Sequence, residues 1–435
     1  MGRLWLLVSR QDLDHVSGQW DKGVIRLEDK NQNTCTIKYT DAHMLPKVYF
    51  TPYGVGLGHA SRLIMIAQQL QNLGVSLRFS SSGEAVGYIS MHGYDCLSVP
   101  PVELAWSSDG SFSIQDSIAK IPHLFINLAR QINTEARNML DYKPEIIVSD
   151  TRLSSLLSAR LLGIPSIVIL NQIKLLLSPR LRELKIARIY EKLNGEFLGI
   201  MWSLADKILV PDLPPPYTLA EHNIWDTNTV AGKLEYVGLT TPKIHISDEQ
   251  INRVAQFLGL QRNKPIIFVH VSGPRNTRMP LIRTAIDACK VLQSDIQYVI
   301  SEGNPKGDAN PKKLCGSGWY YEWCPVRDEI FAMSNALVLR GGHAALSQAI
   351  QFGKPILTIP IENHGEQLGN SQKIAKIGAG IMLNAKRLDA SQIANAIYEV
   401  INDSQYQQKA NLLMKLTEKL NGIENVVKII WSYLK

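Results

Sequence analysis

Between Lys47 and Ile361 the chain alternates repeatedly between short runs that are apolar on every side and longer stretches with helical periodicity. KVYFTP, VSLRFSS, PEIIVSD, PSIVIL and DKILVPD are the short runs of the first half. ASRLIMIAQQLQNLG and RLSSLLSARLLG lie between them. A strand without a polar face is buried on both sides, which is the condition of a parallel sheet covered by helices. Gly74 and Gly163 stand where helix C-caps belong. The segment PDLPPPYTL then interrupts the pattern, because three consecutive prolines continue neither a helix nor a central strand. After KLEYVGLTTPK the alternation resumes with KPIIFVHVSG, IQYVIS, NALVLRGG and KPILTIPI. The predicted fold class is α/β, with two doubly wound domains joined near 213–243. The halves share a layout without detectable sequence repetition. Ligands in such sheets bind beyond the carboxyl ends of the strands, so two facing sheets make one cleft.

The expected divisions are an N-terminal extension over 1–46, an N-terminal domain over 47–240, a C-terminal domain over 241–410 and a helical segment over 411–435. The extension is polar, with the β-like runs GVIRLEDK and TCTIKYT. The last segment contains ENVVKIIWSYLK, a helix suited to packing back across the domains. With 45% hydrophobic residues in 435, the chain has ample core, and disorder is excluded. A net charge of +7 suits anionic ligands or an anionic membrane face, and falls short of a polycationic nucleic-acid binder. The five cysteines are scattered, with no CxxC pair and no Cys/His cluster, so neither a metal site nor a disulfide framework is expected. The expected location is the cytoplasm. No secretory signal and no run of about 18 apolar residues is present.

The stretch VYFTPYGVGLGHASR joins an apolar run to Gly54, Gly56 and Gly58, and then to His59. A dinucleotide-binding fingerprint requires a third glycine where His59 stands, and an acid at the end of the second strand. That strand instead ends RFSSSG, so the dinucleotide reading fails on both counts. The glycines still allow a tight turn and close approach to a ligand. His59 is either a satisfied turn histidine or a general base. Asp150, ending PEIIVSD, either orients His59 or caps the following helix.

In the second half, Ser272-Gly273 ends a strand, offering either free N–H groups for a phosphate or an ordinary turn. The strand Ala336–Leu339 runs into Gly341-Gly342 and a helix over 343–352, whose unpaired N–H groups and positive dipole end suit an anion. The loop IENHGEQLGN presents Glu362, His364, Glu366, Gln367 and Asn370, a cluster able to grip several hydroxyls.

These blocks, GVGLGHASR and GGHAALSQAIQFGKPILTIP…EQLGN…IAKIGAG, resemble GT-B glycosyltransferases across residues 47 to about 400. The similarity is greatest to the enzymes that add N-acetylglucosamine to a lipid-linked peptidoglycan precursor, and to related UDP-glycosyltransferases. The resemblance implies two Rossmann-like domains facing across a cleft. It implies His59 as base with Asp150 as its orienter, and an acceptor-side loop of Gly54, Gly56 and Gly58. Gly341, Gly342 and His343 would hold the donor diphosphate, with Ser272 and Gly273 nearby. Where the family carries a glutamate for the ribose, this chain has Gln348, an amide that grips a diol less strongly than a carboxylate. Glu366 and Gln367 would contact the donor sugar. Val326 and Arg327, in WCPVRDEI, would read the base.

The implied function is inverting, metal-independent transfer from a nucleotide-sugar, taken as a UDP-sugar, to an acceptor hydroxyl on a lipid-linked or glycan molecule. No cofactor is implied beyond the nucleotide-sugar co-substrate. The alternatives are a nucleotide-sugar 2-epimerase using His364, Glu362 and Glu366, or a non-catalytic nucleotide-sugar binder. The Asp-x-Asp of metal-dependent transferases occurs only as Asp12-Leu13-Asp14, without strand-end context. Finally, Arg180, Arg182, Lys185, Arg188 and Lys192 interleave with Leu181, Leu184, Ile186, Ile189 and Leu193. This is either a packed helix with a solvated face or a peripheral contact with an anionic membrane.

Overall fold

The computed structural model describes residues 45–434 other than 56, 103–113, 175, 178–181, 243, 293–295, 305 and 317, with backbone alone over 114–122, and three short strands among the first 44 residues. Those strands, β1 (Trp20–Asp21), β2 (Val24–Glu28) and β3 (Thr34–Lys38), form their own antiparallel sheet, with Leu27 opposite Cys35. Residues 1–45 are one compact unit and residues 46–435 another.

The larger unit begins with β4 (Lys47–Pro52), α1 (Leu57–Asn72), β5 (Ser76–Ser81), α2 (Glu84–Met91), β6 (Cys96–Ser98) and α3 (Ile114–Tyr142). It continues through β7 (Ile146–Asp150), α4 (Leu153–Leu162), β8 (Ser166–Ile169), α5 (Lys185–Trp202), β9 (Lys207–Val210), α6 (Glu221–Ile224) and β10 (Leu234–Tyr236). A second series opens with α7 (Asp248–Leu258), β11 (Ile266–His270), α8 (Arg275–Val291), β12 (Gln297–Ser301), β13 (Lys312–Lys313), β14 (Gly318–Tyr321) and α9 (Arg327–Met333). It closes with β15 (Ala336–Leu339), α10 (His343–Gln351), β16 (Ile356–Thr358), α11 (Gly365–Ile377), β17 (Gly380–Met382), α12 (Ala390–Asn402), α13 (Ser404–Lys419) and α14 (Gly422–Trp431).

Two seven-stranded sheets result, ordered β10-β9-β8-β7-β4-β5-β6 and β13-β14-β12-β11-β15-β16-β17. All pairs are parallel except β13 with β14. The apolar runs are buried on both faces, which is why they lack polar alternation. Val48 and Phe50 pack under Leu63, Ile66 and, from α14, Val426 and Ile430. Tyr49 and Ile147 point the other way, onto Met139 and Ala159. In the second sheet Phe268 and Leu337 face Phe331 and Leu346, while Val269 and Val338 face Ile282 and Ile397. Each such side chain contributes about 1.5–3 kcal/mol when removed from water.

In each sheet the chain reverses direction beside its first strand. β4 is flanked by β5 and β7, and β11 by β12 and β15. Adjacent loops diverge there, leaving a crevice at the carboxyl ends. The two carboxyl edges face each other. Asp212, just beyond β9, meets His343 at the start of α10, and the position a Cβ of Gly365 would occupy lies 2.8 Å from Leu176 beyond β8. Lys373 of α11 pairs with Glu221 of α6 at 2.6 Å. No helix among the described residues is long and apolar enough to cross a membrane.

Beneath the first crevice Glu135, wholly buried, pairs with the Arg152 guanidinium and accepts from Ser80 Oγ at 2.7 Å and Tyr49 Oη at 2.8 Å. Burial pushes Arg152 down to about 10. Glu135→Ala leaves that cation uncompensated, so the unfolding free energy in a denaturant titration should fall by about 3 kcal/mol or more.

Candidate active site

His59 sits in the first turn of α1, and Asp150 ends β7, the strand next to β4. The register sets Asp150 opposite Pro52, so the first-sheet crevice brings the loop after β4 and the end of β7 together. His59 Nδ1 lies 2.7 Å from Asp150 Oδ1. Arg62, one turn further along α1, donates Nε to Oδ2 and Nη2 to Oδ1, each at 2.7 Å. Thr151 Oγ1 adds a bond at 3.2 Å. The capping alternative for Asp150 is thus not what forms. α4 starts after Arg152 without a side-chain cap, and it is Ser149 Oγ that accepts from the Arg152 N–H.

The Asp150 side chain is wholly buried, whereas His59 keeps 24% of its side chain exposed. Burial alone would raise the Asp150 carboxyl, but Arg62 and then His59 outweigh it and hold it at about 2. An ionised Asp150 accepts a hydrogen bond from the Nδ1–H of His59, and Nε2 keeps its lone pair. Tyr53 meets the imidazole edge-on at 5.9 Å between centroids. Thr151, with φ 59, holds a left-handed conformation uncommon for a β-branched residue, a local strain of the kind found at functional sites.

Of the two described elbow glycines, Gly54 packs the more tightly. A Cβ there would meet Ser82 Oγ at 2.1 Å. Gly58 faces open space, and Gly56 lies outside the described residues.

The second crevice collects the other predicted residues. Gly273 follows β11, with a Cβ position 3.8 Å from Ile361, and Ser272 precedes it. Gly341 combines φ 83 with a Cβ position 2.3 Å from Ser371 Oγ, so no other residue fits between β15 and α11. Asn370 Nδ2 donates to the Gly341 carbonyl at 3.1 Å. α10 has Gly342 as its N-cap and no capping side chain, so its first N–H groups have no intrahelical acceptor.

Four side chains expected to contact the donor are bonded within the protein. The His343 imidazole turns to Asp212 at 3.2 Å and ties the two domains together, leaving its backbone N–H for an anion. Gln348 Nε2 donates to Asp328 Oδ1 at 2.5 Å, and Arg327 Nε donates to the same oxygen at 3.0 Å. Val326 is the N-cap of α9. Gln367 Oε1 accepts from the Ile361 N–H at 3.0 Å, bracing the loop that carries Glu362, while Glu366 stands in the first turn of α11. His364 is the N-cap of α11, its Nδ1 accepting from the Gln367 N–H at 3.4 Å.

Sequence reasoning missed Arg62, Asp212, Asp328 and Arg340. The three-residue spacing of His59 and Arg62 was a usable signal, as was a cation ending the otherwise apolar strand ALVL. Arg340 is 5% exposed, and its Nε has no hydrogen-bond partner among the described residues. Burial lowers it to about 10. With Thr277, Glu362, Asn363 and Arg387 it lines an open pocket of about 410 Å³. Among the described residues no three His, Cys, Asp or Glu side chains gather to hold a metal ion.

Comparison with known proteins agrees with the fold. A family model described as UDP-glucoronosyl and UDP-glucosyl transferase matches residues 303–420. An uncharacterized glycosyltransferase of Methanosarcina acetivorans is 28% identical over 382 residues, covering 87% of this chain and 96% of its own length. The glycotransferase of kitacinnamycin superposes with a TM-score of 0.66 at 15% identity, over 90% of this chain and all of the other. Acinetobacter baumannii MurG does so at 0.61 and 14%, over 89% and 99%.

His270, at the end of β11, has a shut-in Nδ1 without a partner among the described residues. Burial, and then Arg327, lowers it to about 3. The unfolded chain binds this proton near pH 6.5 and the folded chain does not, so stability falls as pH drops below about 6.5. Thermal unfolding followed from pH 7 to pH 5 should show His270→Gln losing less stability than the parent.

Proposed function

Taking the chain as a glycosyltransferase of the GT-B fold, we propose that it is an inverting enzyme in which His59 is the general base. The acceptor O–H gives its proton to His59 Nε2 while its oxygen attacks the anomeric carbon. The bond from that carbon to the diphosphate oxygen breaks, and the nucleoside diphosphate leaves with the electron pair. The observation carrying this reading is the Asp150 carboxylate clasped by His59 and Arg62, which fixes the ring and stabilises the imidazolium as it forms.

On the donor side the first N–H groups of α10 would receive the diphosphate, reinforced by the dipole and by Arg340. These fixed charges can serve without a divalent cation, which favours metal-independent transfer. The description of the matched family model favours uridine as the base. Asp328, joined to Gln348, brings a carboxylate beside the position where the family's ribose-binding glutamate would stand. The resemblance to transferases acting on lipid-linked precursors favours a lipid-borne acceptor, met at a membrane surface.

His59→Ala should bind UDP as tightly as the parent and turn over at least a hundredfold more slowly. Proton NMR of the product should show an anomeric configuration opposite to the donor's. Epimer formed from donor alone, or retention of configuration, would overturn the reading. Arg340→Gln should weaken UDP binding roughly tenfold by calorimetry, and turnover should survive excess EDTA.

A further inference from the structure

The helix α5 does not pack as an amphipathic surface helix ordinarily does. Its inward face is built from Ala187, Glu191, Gly195, Gly199 and Trp202. The two glycines let the backbone press close: Cβ positions there would lie 3.1 Å from Lys174 Cβ and 2.1 Å from Thr229 Oγ1. The large apolar residues point the other way. Ile186 is 74% exposed, Leu193 66% and Phe197 61%, with Ile189, Tyr190 and Ile200 also exposed. Their spacing, 186, 189, 190, 193, 197 and 200, makes one continuous stripe four turns long. An uncovered stripe of this kind marks a docking face.

The charges on the helix identify the occupant. Both its carboxylates are already engaged. Glu191 accepts from the Leu177 N–H at 2.6 Å and Arg182 Nε at 3.0 Å. Glu196 accepts from the N–H groups of Asn228 and Thr229 at 2.9 and 3.1 Å. Lys185, Arg188 and Lys192 are exposed and gather along one flank of the apolar stripe. An apolar ridge with a cationic flank fits a bilayer interface bearing anionic headgroups, where the side chains enter the acyl boundary and the amines meet phosphate.

We propose that the outer face of α5, through Ile186, Ile189, Leu193, Phe197 and Ile200 with Lys185, Arg188 and Lys192, docks the protein on an anionic lipid surface. The helix begins just beyond the loop in which Leu176 touches Gly365, at the seam between the two carboxyl edges. The binding itself is independent of the transferase reading, because it needs neither donor nor acceptor.

Flotation of the full chain with phosphatidylcholine vesicles, alone or with one part in three phosphatidylglycerol, tests this. The parent should float with the anionic vesicles and remain below with the neutral ones. The variant Ile186→Gln/Leu193→Gln/Phe197→Gln, altered only at exposed positions, should keep the parent's melting temperature and lose flotation. Arg188→Gln/Lys192→Gln should weaken partitioning to anionic vesicles about tenfold. A parent that does not float, or a triple variant that floats equally well, overturns the proposal. So does sedimentation equilibrium showing self-association that the triple variant abolishes in the absence of vesicle binding, which would make the stripe a seam between copies of this chain.

Discussion

The site depends on one carboxylate shared between an imidazole and a guanidinium. Asp150 is fully buried, and a buried carboxylate without partners would take up a proton. Arg62 prevents this by donating twice, once to each oxygen, and the resulting anion orients the His59 ring. The same interaction ties the first two turns of α1 to the end of β7. A change at Arg62 therefore reaches the imidazole without touching it. Charge, ring orientation and loop position are a single coupled quantity here.

The second crevice distributes its charge differently. No capping side chain covers the start of α10, and Arg340 lies just ahead of it, buried and lacking a carboxylate partner among the described residues. An uncompensated buried cation costs stability, and such a cost persists where an anionic ligand can repay it. Gln348 and Arg327 converge on Asp328, so the start of α9 and the middle of α10 are one hydrogen-bonded unit.

Much of the architecture was legible because short β-branched apolar runs, alternating with longer stretches of helical periodicity, mark strands buried on both faces. KVYFTP and PEIIVSD needed no alignment to be recognised as interior strands. The two glycine elbows were legible too, since Gly341 cannot be replaced where β15 turns against α11. What could not be read was pairing between residues distant in sequence. Asp212 and His343 lie 131 positions apart, and their contact exists only because two sheets face each other. Glu135 and Arg152 are likewise paired only once α3 folds against the sheet. Exposure on α5 was equally hidden, because periodicity gives the width of an apolar stripe and not the side from which it is covered.

The chain passes between the domains twice. It leaves the first sheet after β10 and returns to it as α14, which packs beside α1. The two passages lie against each other: a Cβ on Gly238 would be 2.5 Å from the Leu420 carbonyl, and one on Gly422 would be 2.4 Å from that of Leu239. Two adjacent covalent straps behave as a door hinge, whereas a lone linker would be a ball joint. Two crossings packed side by side restrain the relative twist of the lobes more than a single linker would.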